Sequence, residues 1–189
     1  MRAPIRFTVH DLDLFPQPLD DTRYEIIDGE IHVSKQPKIW HQVACSRIAS
    51  ALTQWDRASA RGLAVPAPGV IFSPEDAVAP DVVWISAERL RGAVDEGGHF
   101  RVAPELIVEV LSPGAENERR DRDLKLDLYS RYGVQEYWVV DWERREVAVY
   151  RRQGSGLRIV ETLRDDATLT SPLLSGFACP IAELWLRTD

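Results

Sequence analysis

The sequence predicts an α/β fold, a mixed β-sheet flanked by helices, on three observations. Two short runs, 81–85 (DVVWI) and 106–111 (LIVEVL), are apolar and β-branched almost throughout, the pattern of strands covered on both faces. Two longer stretches, 39–60 and 117–132, carry apolar residues at helical spacing. The order is hairpin, helix, strands, helix, hairpin, which is a mixed sheet with helices packed on it rather than a regular βαβαβ alternation.

The elements follow in order. Residues 8–15 read as a short helix with Thr8 as N-cap, stopped by Pro16. YEII (24–27) and IHV (31–33) flank Asp28-Gly29, a hairpin signal. Along 39–60, Val43, Ala44, Ile48, Ala51, Leu52 and Trp55 recur on one helical face, and Gly62 is expected to close the helix. The segment 63–72 holds Pro66 and Pro68, so it reads as an edge or irregular strand. The helix at 117–132 ends at Gly133. Residues 137–140 and 147–150 form a second hairpin around Asp141-Trp142-Glu143-Arg144-Arg145, and 158–163 adds a strand. The tail, with Pro172, Gly176 and Pro180, reads as a loop before a short segment at 181–186.

A length of 189 residues favours one domain, 1–189, able to bury a real core. No apolar run approaches the roughly 20 residues of a membrane helix. The N-terminus lacks the apolar stretch of a secretory signal, so a cytoplasmic protein is expected. Cys45 and Cys179 suit no zinc spacing and no disulfide framework, and read as buried, reduced thiols. The net charge of −7 argues against a non-specific nucleic-acid binder, whose affinity comes from phosphate neutralisation. A local basic face, or carboxylates gathered for a metal, is compatible with it.

Glu109 is the most informative residue. It lies inside LIVEVL, and an ionised carboxylate there is costly unless it is paired or holds a metal. Asp81 opens the other apolar run, after Pro80. Neighbouring strands lie about 4.8 Å apart, so two carboxylates on one face can share a cation. Mg²⁺ takes oxygen ligands and keeps several waters, so Asp81, Glu109 and the backbone carbonyl of Val110 suffice in principle. Lys125 sits at the margin of the packing face made by Leu124, Leu128, Tyr129 and Tyr132. Its stem can cross the sheet toward the carboxylates, or the lysine can remain solvated and pair with Asp121.

The strings YEIIDGE (24–30), PDVVWIS (80–86), PELIVEVLSP (104–113), KLDLYSRYGVQEYWVVD (125–141) and EVAVYR (146–151), in this order, resemble the Uma-two family of endonucleases. That family belongs to the restriction-endonuclease-like superfamily with its PD-(D/E)XK pattern. The resemblance implies a restriction-endonuclease-like fold, a Mg²⁺ (or Mn²⁺) cofactor, a DNA substrate and a homodimer. It matches Asp81 to the aspartate of the PD motif and Glu109 to the second acidic residue. The usual lysine would fall at residue 111, where this chain has Leu111; the resemblance places it on the next helix, at Lys125. It also makes Glu25 a further metal ligand and His41 a phosphate contact or base.

A docking edge for DNA is weakly marked. Residues 118–131 carry five cations against four carboxylates. The second hairpin is more basic: over 142–158, Arg144, Arg145, Arg151, Arg152 and Arg158 face two glutamates, a net of +3. Arg144 and Arg145 are the phosphate candidates there. The expected activity is metal-dependent hydrolysis of phosphodiesters by Asp81, Glu109 and Lys125. The rival is a catalytically silent nucleic-acid or protein interaction module on the same fold.

Overall fold

The computed structural model describes residues 5–15 and 22–185. Residues 9–14 form a 3-10 turn in which the Asp11 carboxylate accepts from the backbone N–H and hydroxyl of Thr8. The expected stop at Pro16 lies outside the described residues. Strands β1 (Arg23–Ile27) and β2 (Glu30–Ser34) pair antiparallel across Asp28 and Gly29, both at positive φ, as a two-residue hairpin turn requires. Helix α1 (Ile39–Ser59) follows, then β3 (Gly62–Pro66), β4 (Val70–Ser73), β5 (Asp76–Val78) and β6 (Val82–Ser86). The short helix α2 (Ala87–Leu90) precedes β7 (Leu106–Val110).

A continuous helical segment then runs through α3 (Ala115–Arg119), a π-turn (Arg120–Leu124) and α4 (Lys125–Arg131). Strands β8 (Glu136–Asp141), β9 (Glu146–Gln153) and β10 (Gly156–Arg164) form a meander. β11 (Thr168–Thr170) pairs with β12 (Ala178–Pro180), and a 3-10 turn at Ile181–Leu184 follows.

The main sheet has the order β10-β9-β8-β7-β6-β3, and a second sheet the order β2-β1-β5-β4. In the main sheet only β7 and β8 run parallel. A parallel pair needs a long crossover, and the segment from α3 to α4 supplies it. Both faces are covered. Val82, Trp84, Val108, Trp138 and Val149 pack against Ile48 and Leu52 of α1 and against Phe177 and Ile181 from the chain end. Val83, Ile107, Tyr137 and Val139, on the opposite face, pack against Leu128 and Tyr129 of α4. This double burial is why β6, β7 and β8 read as near-continuous apolar runs.

Three expectations need correction. Gly62 does not cap α1; Ala60 takes the left-handed position there, its N–H donating to the Asp56 carbonyl. Gly62 is a glycine for another reason: as the first residue of β3 it lies so close to β6 that a Cβ would sit 2.3 Å from the Ile85 carbonyl oxygen. The expected strand at 63–72 is two strands in two sheets, separated by residues 67–69, where Ala67 has φ 49°. The helix at 117–132 starts at Ala115 and is interrupted by the π-turn. The terminal strand pair β11–β12 left no alternating pattern strong enough to read, each partner having three residues.

Gly62→Ala should therefore cost about 1–3 kcal/mol through overpacking, read as a lower urea midpoint with an unchanged slope. A wild-type midpoint would show that β3 and β6 can separate freely at this point.

Candidate active site

Strand pairing brings the first two carboxylates together. β6 and β7 pair with Val82 opposite Val108 and Val83 opposite Ile107. Continued by one residue, this register sets Asp81 against Glu109, on the face that Val83 and Ile107 share. Asp81 is fixed there by the N–H of Val110, which donates to Oδ2 at 2.8 Å.

The crossover helix delivers the cation. In the π-turn the N–H of Lys125 donates to the Arg120 carbonyl, five residues back instead of four. The Tyr137 hydroxyl donates to the Asp121 carbonyl at 2.7 Å, tying the turn to β8. Lys125 begins α4 with its side chain turned to the sheet, only 2% exposed. Its Nζ lies 2.9 Å from Glu109 Oε1, 2.9 Å from Glu25 Oε1 and 3.8 Å from Asp121 Oδ1. Tyr129, one helical turn on, donates its hydroxyl to the same Glu109 oxygen at 2.6 Å. Glu25 enters from β1 and accepts the Ala79 N–H at 2.9 Å. Arg120 closes the cluster: its Nε is 3.0 Å from Asp121 Oδ1 and its Nη1 donates to the Ser34 hydroxyl at 2.6 Å.

Four buried carboxylates, Glu25, Asp81, Glu109 and Asp121, thus surround Lys125 and the largely buried Arg120. Burial opposes the charge on every one of them. For Glu25 that penalty is outweighed by Lys125 and Arg120, which hold its carboxyl below the usual range. For Asp81 it is outweighed by His41, the Val110 N–H and Lys125, and the carboxyl again lies low. Glu109 goes the other way. Burial, reinforced by Asp81, Asp121 and Glu25, pushes it up to about 8 despite Lys125. Asp121 is raised by burial, and Lys125 is held protonated by Glu109, Glu25 and Asp121 against burial.

The cluster lines a cavity of about 30 Å³, together with Arg23, His41 and Ser112. That space admits a small cation or a water or two, not a nucleotide. The donor set fits a hard divalent cation. The hydrogen bonds to Glu109 among the described residues end on Oε1, and Asp81 Oδ1 has only Arg23 at 3.5 Å. Burial raises Glu109 most, and the neighbouring carboxylates that add to it are what a cation would offset.

His41, Cys45 and Asp81 form a second group whose ligand atoms lie within 4.8 Å of one another. His41 Nε2 is 3.2 Å from Asp81 Oδ2, and Nδ1 is 3.4 Å from the Cys45 sulfur. The thiol is a poor ligand as it stands. Burial, with Asp81 and Glu109, pushes it far above the ordinary thiol range.

The structure therefore brings Asp81, Glu109, Lys125 and Glu25 into one cluster. Val110 meets it through its N–H. His41 is buried against Asp81 with both ring nitrogens engaged, not exposed toward solvent. Arg144 is exposed and pairs with Asp141 and Glu118, while Arg145 stands in the β8–β9 turn. Arg151 and Arg152 of the basic hairpin are spent on Glu161 and on the carbonyls of Val134 and Ser130. Sequence reasoning missed Arg120, Asp121 and Tyr129 as members of the cluster. Tyr129 read as plain packing, and Asp121 as a surface partner of Lys125, because regular helical spacing hides the π-turn.

The fold is that of a nuclease-like α/β protein. Aligned with the crystal structure of a putative nuclease belonging to DUF820 from Anabaena variabilis, the chain gives a TM-score of 0.74 at 20% identity, over 94% of this chain and 97% of the other. The model of the Uma2 family, described as Putative restriction endonuclease, matches residues 10–182, and the chain belongs to that family. No curated protein gives a significant match.

Glu109 generates a pH prediction for the metal-free protein. Its folded value near 8 exceeds the unfolded value of 4.5, so the folded state holds an extra proton between them. That contribution to stability is present at low pH and is lost as pH rises from about 4.5 through about 8. Glu109→Gln lacks it. In EDTA, urea midpoints of wild type should fall relative to Glu109→Gln as pH rises through this window; a constant gap would mean that Glu109 is ionised throughout.

Proposed function

We propose that this protein is a divalent-metal-dependent endonuclease that hydrolyses phosphodiester bonds in DNA. The observation that carries the reading is the buried Lys125 ammonium bonded to both Glu109 and Glu25, beside Asp81, around a cavity of ionic size. Family membership supports a nuclease, and the donor chemistry supports Mg²⁺ or Mn²⁺.

Asp81 and Glu109 would hold the metal through Asp81 Oδ1 and Glu109 Oε2, with Glu25 and the Val110 carbonyl as further donors. When bound, the ion supplies Lewis-acid polarisation of a phosphoryl oxygen and lowers the pKa of water. The protein's own groups do the rest. The Val110 N–H and His41 fix Asp81, so its carboxylate does not reorient as charge develops. Tyr129 fixes Glu109 in the same way. Glu109, Glu25 and Asp121 hold Lys125 in its charged form, so it serves as a cation and not as a general base. It stabilises negative charge growing on the attacking water and on the phosphoryl oxygens. Arg23, partly exposed at 3.5 Å from Asp81, faces the mouth where a phosphate must approach, because the cavity itself is too small to admit one.

The silent-module reading finds one observation in its favour: Lys125 is saturated by ion pairs and nearly sealed from solvent. The two readings part on cleavage. Wild type should nick supercoiled or single-stranded DNA in Mg²⁺ or Mn²⁺ and not in EDTA. Glu109→Ala should abolish this, and Lys125→Ala should lower the rate by about 10²–10³. Equal cleavage by wild type and Glu109→Ala would remove the assignment, and metal-independent DNA binding with no cleavage of any substrate would favour the module.

A further inference from the structure

The chain has six tryptophans. In and around the core, Trp55 meets Trp84 and Phe177 edge to face, and Trp138 stacks on Phe177. Trp142 and Trp185 pack partly buried against the same core cluster and, with the more exposed Trp40, also line its outer side. They converge from α1, the β8–β9 turn and the chain end on an open groove of about 360 Å³, floored by Val43 and Leu184. That volume falls within the roughly 300–1,000 Å³ of ligand clefts. Trp40 is 41% exposed. Arg145 stands at the rim in the left-handed conformation, φ 55°, with no ion pair among the described residues.

The groove lies on the α1 side of the main sheet, across from the carboxylate cluster, and two short links tie it to residues that position Asp81. Trp40 directly precedes His41, whose Nε2 touches Asp81. The Trp142 indole N–H donates at 3.1 Å to the carbonyl of Leu111, which directly follows Val110, whose N–H holds Asp81. Two walls of the groove are therefore each anchored one residue away from a group that positions Asp81.

We propose that this groove is a stacking subsite for an unpaired nucleobase, so that the enzyme engages single-stranded DNA. The inference takes its choice of ligand from the nuclease reading above. Indole faces stack on any base, which gives affinity without sequence readout. Arg145 adds a cation for a neighbouring phosphate. Glu143 places a carboxylate on the same rim, so stacking outweighs charge here. Bases inside a duplex already stack on each other and must be unstacked to reach the indoles.

The test is binding in EDTA, where no metal-dependent cleavage occurs, to a fluorescein-labelled oligo-dT, an abasic chain of the same length and a blunt duplex. Oligo-dT should bind and quench tryptophan fluorescence, and the abasic chain and the duplex should bind at least about tenfold more weakly. Trp40→Ala should weaken oligo-dT binding by a similar factor. Arg145→Gly, which suits the backbone there, should weaken it and lower the slope of log affinity against log salt by about one. Equal affinity for the abasic chain, or an unchanged affinity in Trp40→Ala, overturns the proposal. Light scattering that shows a dimer lost in Trp40→Ala, with DNA affinity intact, assigns the groove to a second copy of the chain and also overturns it. Absence of cleavage in Mg²⁺ and Mn²⁺ bears on the nuclease reading alone and leaves this binding result standing.

Discussion

The site depends on one interaction: a lysine ammonium, almost wholly buried, shared between Glu109 and Glu25. Neither partner is tolerable alone at this depth. Desolvating each ion costs several kcal/mol, and removing one member of a buried pair typically costs about 3–5 kcal/mol. The pair is also unbalanced, because Asp81 and Asp121 add negative charge that Arg120 offsets at Asp121 and that Arg23 and His41 face at Asp81. The centre is thus folded around a deficit of positive charge, and Glu109 is raised chiefly by burial and further by Asp81, Asp121 and Glu25. Surplus carboxylates of this kind support the proposed cation site.

Topology explains how these groups meet. Asp81 and Glu109 come from neighbouring antiparallel strands at one end of their pairing, where the ladder stops and a side chain can take a backbone N–H. Lys125 comes from the crossover that the parallel β7–β8 pair demands. Asp121 and Lys125, four residues apart across the π-turn, both point inward, and Tyr137 of β8 holds that turn. Glu25 is brought by the other sheet, through β1 and its pairing to β5. Four separate elements have to be in place before the lysine is paired, which couples the integrity of the site to that of the fold.

Much of this was legible in the residues. A glutamate inside LIVEVL announces a buried charge that needs a reason, and Pro80-Asp81 ahead of VVWI announces a second carboxylate on a neighbouring strand. The central strands and both long helices follow from apolar patterning, and the first hairpin from Asp28-Gly29. What stayed hidden has physical causes. Backbone close approach, which fixes Gly62, has no signature beyond the glycine itself. The π-turn leaves no mark in a 3.6-residue pattern, so Arg120 and Asp121 read as a charged surface when they are inner groups. The role of His41 depends on depth, which sequence does not show: its ring is wedged between Asp81 and Cys45. The basic hairpin misled in the other direction, since Arg151 and Arg152 serve the fold.

The central claim, that the carboxylate–lysine cluster is a hard-cation centre, is tested most directly by an anomalous difference map from crystals soaked in Mn²⁺. The account predicts a peak in the cavity between the Asp81 and Glu109 carboxylates, with Lys125 still bonded to Glu25. A peak beside the Cys45 sulfur and His41, or an empty cavity at saturating Mn²⁺, would contradict it.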